Sequence, residues 1–232
     1  MEKGYMKEPL INKIDALIQT KHLLLHPFYQ AWSRGELSLE CLQDYAQNYY
    51  HHVKAFPTYL SALHSHTEDA QTRRLLLQNL IDEEAGCPNH PDLWQNFVKA
   101  LGVSESDLMN HTPAPSIETL IQTFRAICLN HTTVEGIAAL YAYESQIPAI
   151  CISKIAGLKE HYQIQRPPDL EYFSVHIAAD TQHAADERSL LESYMNLDNQ
   201  ESVCLSVDRI LDVLGGFLSS LCQKYAINCP SH

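Results

Sequence analysis

The chain has 232 residues, of which 45% are hydrophobic and only 8 are glycine, a composition typical of a soluble globular protein with a sizeable core. Its 16 basic and 28 acidic residues give a formal net charge of −12, which argues against nucleic acid and anionic membrane surfaces as partners. The seven cysteines are scattered without a Cys-x-x-Cys pair, and the first 25 residues lack a signal-peptide pattern, so we expect reduced thiols in a cytoplasm.

Apolar residues recur at three- and four-residue steps along most of the chain, and this spacing predicts helices. In chain order the predicted helices are 9–34 with a break near His26, 38–64 with a kink near Pro57, 67–85, 91–101, 116–130, 133–161, 169–196 and 199–226. Thr132 with Glu135, and Asp198 with Glu201, have the spacing of capping boxes. No segment alternates as a strand would, so we expect one all-α domain over 1–232, with an ordered core of about 8–226.

Residues 136–153 form an apolar stretch of eighteen residues with a single charge, Glu144. A carboxylate in the middle and Pro148 make this segment a poor membrane span. We expect a buried helix instead. Burial of an ionised Glu144 is costly unless it pairs with a buried Arg or Lys or binds a metal ion, and both alternatives are open.

Three metal-binding residue types follow one another on the predicted helix 169–196. His176, Asp180 and His183 lie within about 60° of one another around the helix axis. Tyr172 and Glu187 lie one turn before and one turn after them, where either side chain would be able to orient an imidazole. The alternative is an amphipathic helix whose polar residues face solvent.

A third candidate segment, 81–94, places consecutive glutamates at a helix end, where the helix dipole disfavours negative charge. Gly86 and Pro88 end that helix and Pro91 begins another, which leaves His90 free to turn back toward Glu83. The alternative is an ordinary polar loop.

Taken together, the candidates are three carboxylates and three imidazoles on three helical elements: Glu83, His90, Glu144, His176, Asp180 and His183. Such a set nearly neutralises two divalent cations, and its mixed nitrogen and oxygen donors suit iron and manganese. Open coordination positions would bind oxygen. The paired Glu-x-x-His motif of ferritin-like bundles is absent, so we expect a different helical scaffold.

Four segments carry a resemblance to known proteins: KHLLLHPFYQAWSRGELS, DEEAGCPNHPDLW, AALYAYESQIP and YFSVHIAADTQHA. They resemble the oxygenase-like helical proteins related to pyrroloquinoline-quinone synthase and thiaminase, and among them the chlamydial members that associate with death domains. The resemblance implies a bacterial protein with a seven-helix heme-oxygenase-like fold, a homodimer, and a dimetal site whose ligands match the six candidates. The implied ions are iron with manganese or with a second iron.

The resemblance also implies a reaction. Family members of this kind make para-aminobenzoate for folate, in place of the chorismate route, by consuming one of their own tyrosines with oxygen and a reductant. The residue that matches the consumed tyrosine is Tyr29, and the proposed amine donor is Lys154. Tyr143 and Tyr172 are the implied aromatic participants. Lys154 lies ten residues after Glu144, or about 15 Å along a straight helix, so its reach into the site depends on a kink at Pro148.

Two other functions are open. One is a dimetal oxygenase that acts repeatedly on an external small molecule. The other is an effector, secreted into a host cell, that binds host death-domain proteins and promotes apoptosis. The net charge of −12 permits a basic partner, but no motif specifies one.

Overall fold

The computed structural model describes residues 10–228. The first residue of the predicted helix 9–34, the predicted core boundary at residue 8, and Cys229 therefore lie outside the described residues. Residues 10–228 contain eleven α-helices, a 3₁₀ turn at Leu23–Leu25, and no β-strand. The helices are α1 (Ile11–Thr20), α2 (Pro27–Ser33), α3 (Leu39–His66), α4 (Ala70–Glu84), α5 (His90–Ala100), α6 (Glu105–Met109), α7 (Pro115–Asn130), α8 (Thr133–Glu144), α9 (Ile147–His161), α10 (Pro167–Tyr194) and α11 (Gln200–Lys224).

The all-α fold is confirmed, but the predicted count of seven helices is only approximate. Short helices such as α2 and α6 add to the count, and α6 was not predicted. The expected break near His26 is present, because the His26 side chain accepts a hydrogen bond from the Phe28 amide and Pro27 begins α2. Helix α3 continues through Pro57 from Leu39 to His66.

The prediction of a single helix over 133–161 is wrong, since α8 ends at Glu144 and α9 begins at Ile147. Pro148 lacks an amide hydrogen, and its ring clashes with the carbonyl group four residues earlier in a continuous helix. Gln146 fills the junction: its side chain accepts a hydrogen bond from the Leu23 amide at 2.8 Å and donates one to the Ala142 carbonyl at 2.6 Å. The chain therefore changes direction directly after Glu144.

One of the two predicted capping boxes is confirmed. Thr132 and Glu135 exchange the two expected hydrogen bonds at the start of α8. The second prediction is wrong, because α11 begins at Gln200 after Asn199. The Asn196 side chain instead accepts hydrogen bonds from the Asp198 and Asn199 amides and forms the turn before α11.

Helix α8 lies in the centre of the bundle, where it packs against α7, α10 and α11. Every residue from Val134 to Glu144 is buried. At Gly136 a Cβ atom would come within 2.5 Å of Leu63 Cδ1, so glycine permits the close approach of α8 to α3. This packing carries Glu144 into the protein interior.

Helix α10 has a polar face that is turned inward. Its buried residues include His176, Asp180, His183 and Glu187 as well as apolar side chains. The face meets the end of α8 and the inner side of α4, so polar groups from three helices lie in one region of the core. Among the described helices, none combines the length and the apolar character needed to cross a membrane.

Candidate metal centre

The six candidate ligands lie together in the interior as two groups of three. One group is Glu83, His90 and His176, and the other is Glu144, Asp180 and His183. In each group, one ligand atom from every residue lies within 4.8 Å of the other two, and all six residues are buried. Each group therefore has the size of a site for one metal ion.

The first group forms where α4 ends and α5 begins. Asn89 caps α5 through a capping box, so His90 is the first residue of that helix rather than the last residue of a loop. Its Nδ1 atom lies 2.9 Å from Glu83 Oε2, and its ring centroid lies 4.2 Å from that of His176. His176 Nδ1 is 2.6 Å from the Tyr172 carbonyl oxygen, to which it donates, and this leaves Nε2 facing Glu83 Oε1 at 3.9 Å.

The second group is centred on His183. Its Nδ1 atom lies 3.3 Å from Glu144 Oε1 and 3.4 Å from Asp180 Oδ1. Its other ring nitrogen, Nε2, lies 3.1 Å from Asp82 Oδ2. The Asn79 side chain donates a hydrogen bond to Glu144 Oε1 at 2.9 Å. Asp82 was not singled out in the sequence, although it directly precedes the two glutamates that were.

Several acidic groups share this small volume. Burial raises the pKa of Asp180 well above its usual value, and the nearby charges of Glu144 and Glu83 raise it further. Burial by itself would lower the pKa of His183, but the carboxylates of Asp180 and Glu144 overcome that effect and raise it to about 11. The cluster thus attracts positive charge, which a proton or a metal ion would supply.

The residues fit two metal ions by the chemistry and the environment of their donor atoms. Two buried ligand atoms, Glu144 Oε2 and Asp180 Oδ2, have no hydrogen-bond partner among the described residues. Buried polar atoms without partners are costly, and a cation would satisfy both. Imidazole nitrogen and carboxylate oxygen are donors that suit iron and manganese.

We expect Asp82→Ala to weaken one of the two metal positions by about 10–100-fold, since a carboxylate that holds the outer nitrogen of a ligating histidine fixes its tautomer and orientation. Asp82 contacts His183, so the group of Glu83, His90 and His176 should keep its affinity. Anaerobic titration with Mn²⁺ measures both positions, with the exposed Glu84→Ala as control. If Asp82→Ala bound Mn²⁺ at both positions as tightly as wild type does, Asp82 would not orient His183.

A cavity of about 10 Å³ lies beside the first group. Its lining consists of Val53, Phe56, Glu83, Tyr143, Tyr172, His176 and Asp180. This volume is near the minimum that holds one water molecule, so it suits a molecule such as oxygen and is far too small for an aromatic substrate.

The four residues that the sequence assigned to catalysis lie in two places. Tyr143 and Tyr172 line the cavity, whereas Tyr29 does not. Two tyrosines of α3 connect them: Tyr143 Oη lies 2.6 Å from Tyr49 Oη, and the Tyr49 ring stacks on Tyr45 with centroids 5.3 Å apart. Tyr45 Oη in turn lies 3.1 Å from Tyr29 Oη. Neither Tyr45 nor Tyr49 was singled out in the sequence, although two buried phenols one turn apart must both find partners.

Lys154 lies in the same aromatic cluster as Tyr29. Its Nζ atom donates a hydrogen bond to Tyr45 Oη at 2.7 Å and lies 5.2 Å from the centroid of the Tyr29 ring. Burial lowers the pKa of Lys154 to about 8. The amine belongs to neither ligand group, because the break after Glu144 turns α9 toward α2, where Trp32 Nε1 donates to the Lys154 carbonyl.

Comparison with known proteins agrees with this arrangement. The profile of the family described as iron-containing redox enzymes matches residues 43–215, a range that includes all six candidate ligands. The 4-aminobenzoate synthase of Chlamydia muridarum is 46% identical over 96% of this chain and 93% of its own length. The 4-aminobenzoate synthase of Nitrosomonas europaea is 41% identical over 93% of this chain and 92% of its own.

A protein of unknown function from Shewanella denitrificans, with a heme oxygenase-like fold, superimposes with a TM-score of 0.78. It covers 94% of this chain and 92% of its own length at 18% identity, so the likeness concerns the fold. The helical architecture, the family match and the two close relatives agree with one another. This chain is an enzyme that belongs to the iron-containing redox enzyme family with a heme-oxygenase-like fold.

Proposed function

We propose that this enzyme makes 4-aminobenzoate from the ring of its own Tyr29, with two metal ions, oxygen and a reductant. The observation that carries the proposal is the contact between a phenol and an amine inside the protein. Tyr29 and Lys154 are both buried, and the Tyr45 hydroxyl group contacts both of them. The product named for the two relatives above, 4-aminobenzoate, is an aromatic ring with an amine para to a carboxylate, and these two side chains contain such a ring and such a nitrogen.

The product and the side chain have matching skeletons. A tyrosine ring carries a carbon and an oxygen substituent in para positions, and 4-aminobenzoate carries a carboxylate and an amine in the same positions. Conversion therefore breaks the bond between Cα and Cβ, oxidises Cβ to the carboxylate at the expense of oxygen, and replaces the phenolic oxygen, which leaves as water, by nitrogen. Transfer of that nitrogen from Lys154 breaks the bond between Nζ and Cε. Two metal ions held by the six candidate ligands would supply oxygen activation, and iron with manganese, or two irons, suits the donors.

The protein's own residues place the reacting groups and exclude water. Tyr45 accepts a hydrogen bond from Lys154 Nζ, and its hydroxyl group lies 3.1 Å from Tyr29 Oη, so one hydroxyl group joins the amine to the oxygen that nitrogen replaces in the product. The lowered pKa of Lys154 leaves a fraction of neutral amine near neutral pH, and only the neutral amine is nucleophilic. Such positioning replaces the binding of two separate substrates.

The small cavity beside the metal centre favours this function over a conventional oxygenase. About 10 Å³ admits oxygen but no external aromatic substrate, whereas the tyrosine ring is already in the core. An oxygenase that acts on an external molecule would need a larger space than this cavity or the one of about 20 Å³ beside the second ligand group.

A labelling experiment tests the proposal. Protein grown with ring-labelled tyrosine, loaded with iron and manganese, receives only oxygen and a reductant. We expect labelled 4-aminobenzoate in an amount no greater than one molecule per chain, and a matching loss of intact Tyr29 by mass spectrometry. Unlabelled product that accumulates over many turnovers after a small molecule is added would contradict the proposal and support the conventional oxygenase.

The buried amine also has an expected effect on stability. Below about pH 8 the folded protein holds a charged Lys154 in its core, while the unfolded chain titrates near 10.5, so this residue destabilises the fold by about 3 kcal/mol near neutral pH. We expect Lys154→Met to raise the free energy of unfolding at pH 7 by roughly 1–3 kcal/mol, because the loss of the Tyr45 hydrogen bond offsets part of the gain.

Between about pH 8 and 10.5 the unfolded chain binds more protons at this residue than the folded protein, so the wild type gains stability as pH rises. The advantage of Lys154→Met should therefore shrink across this range. Denaturant unfolding at several pH values measures it, and the exposed Lys159→Met serves as control. If Lys154→Met had a lower free energy of unfolding than wild type at pH 7, burial of the charged amine would not destabilise the fold.

We further propose a homodimer in the bacterial cytoplasm. Light scattering of the metal-loaded protein tests the dimer. Secretion into a host and binding to death-domain proteins stay predictions, and a pull-down with a ligand-deficient variant tests the second, since a surface interaction should survive the loss of the metal ions.

A further inference from the structure

Glu187 is a buried carboxylate that the chemistry above does not use. It lies four residues after His183 on the inward face of α10, and only 5% of its surface is exposed. Neither carboxylate oxygen has a hydrogen-bond donor among the residues the structure describes. Together with His183 and Asn79, it lines a second cavity, of about 20 Å³, next to the second ligand group.

The surroundings of Glu187 supply negative rather than positive charge. Its carboxyl group contacts that of Glu144, so two acids meet inside the core. The adjacent Arg188 does not neutralise it, because Arg188 forms ion pairs with Asp15 at 2.6 Å and with Glu192 at 3.2 Å. Two acids that meet inside the core are costly unless a shared proton or a cation lies between them.

The charges of the metal ions and of their ligands also favour Glu187 as a ligand. The six candidate ligands contribute three carboxylates, which leave two divalent ions with an excess positive charge in the core. Glu187 as a fourth carboxylate makes the centre neutral. A neutral cluster is much cheaper to bury than a charged one.

We propose that Glu187, which contacts Glu144 but lies outside both groups of three, is a seventh metal ligand and binds the ion held by Glu144, Asp180 and His183. This inference rests on the metal centre of the proposed function. It makes the two positions unequal: one has two imidazoles and one carboxylate, and the other has one imidazole and three carboxylates. Loss of Glu187 should therefore affect one position only.

The test uses the full-length protein, freed of metal and titrated with Mn²⁺ without oxygen. We expect wild type to bind two ions per chain and Glu187→Gln to bind one of them at least tenfold more weakly. Asp186→Asn is the matched control, because Asp186 lies next in the chain and lines the same cavity but is partly exposed and bonded to Gln182. Equal affinities in Glu187→Gln and wild type would overturn the inference.

Melting temperature separates a ligand from a structural residue. Without metal, Glu187→Gln should melt close to the wild-type temperature, because the glutamine amide has nearly the shape of the carboxyl group and can also donate a hydrogen bond to Glu144. The rise in melting temperature that saturating Mn²⁺ causes should be smaller for Glu187→Gln than for wild type. The proposal is overturned if the variant melts at a lower temperature than wild type both with and without Mn²⁺ and if Mn²⁺ raises the two melting temperatures equally. Glu187 would then have a structural role.

The two levels of the hypothesis fail in different ways. Wild type that binds no ion would overturn the metal centre and the role of Glu187 together. Wild type that binds two ions, alongside a variant that binds them equally well, would leave the centre intact and remove only Glu187 from it.

Discussion

Tyr29→Phe is expected to abolish 4-aminobenzoate formation and to leave metal binding unchanged. The substitution removes one phenolic oxygen from a buried ring, and Tyr29 belongs to neither ligand group. Product is measured by mass spectrometry after a single exposure to oxygen, and metal content by elemental analysis. The separation of the two readouts matters, because a variant that had lost its metal ions would also be inactive.

A matched control for this variant is Tyr59→Phe. Tyr59 is also fully buried on α3, but its ring stacks on Phe124 and its hydroxyl group faces His52 at 3.4 Å. We expect the control to form product in wild-type yield. Substantial product from Tyr29→Phe would show that the ring comes from elsewhere, and the search would turn to an external substrate or another tyrosine.

Asp180→Ala is expected to eliminate product and to remove the stabilisation that metal ions provide. Asp180 belongs to the second ligand group and also lines the cavity beside the first. In wild type, a free ion concentration of about 100 times Kd stabilises the fold by about 2.7 kcal/mol per site. For a domain of this size that corresponds to a rise in Tm of roughly 5–10 °C.

Thermal unfolding with and without Mn²⁺ or Fe²⁺ measures this effect, and the exposed Glu171→Gln on the same helix is the control. Binding to wild type should also release protons near neutral pH. The carboxylates raise the pKa of His183, and an imidazole must be neutral to bind a metal ion through nitrogen. A wild-type Tm that does not change under saturating metal would refute the metal centre.

Local sequence patterns predict most of the long helices and identify most polar groups in the core. Apolar spacing located the long helices because each must bury one face, and the spacing of His176, Asp180 and His183 placed them on one face whatever their neighbours are. The capping box of Thr132 was also predictable from the sequence, because its hydrogen bonds join residues three positions apart. These features depend on local geometry, which a short stretch of sequence contains.

Tertiary packing alone decided what those groups contact. The sequence left the position of Lys154 open, and the break after Glu144 places its amine against Tyr45 rather than beside the ligands. The contacts of Asp82 with His183 and of Glu187 with Glu144 join different helices. Periodicity reports which face of a helix is buried, but the partner across that face depends on how distant helices pack, and that packing fixes both the metal centre and the phenol-amine pair.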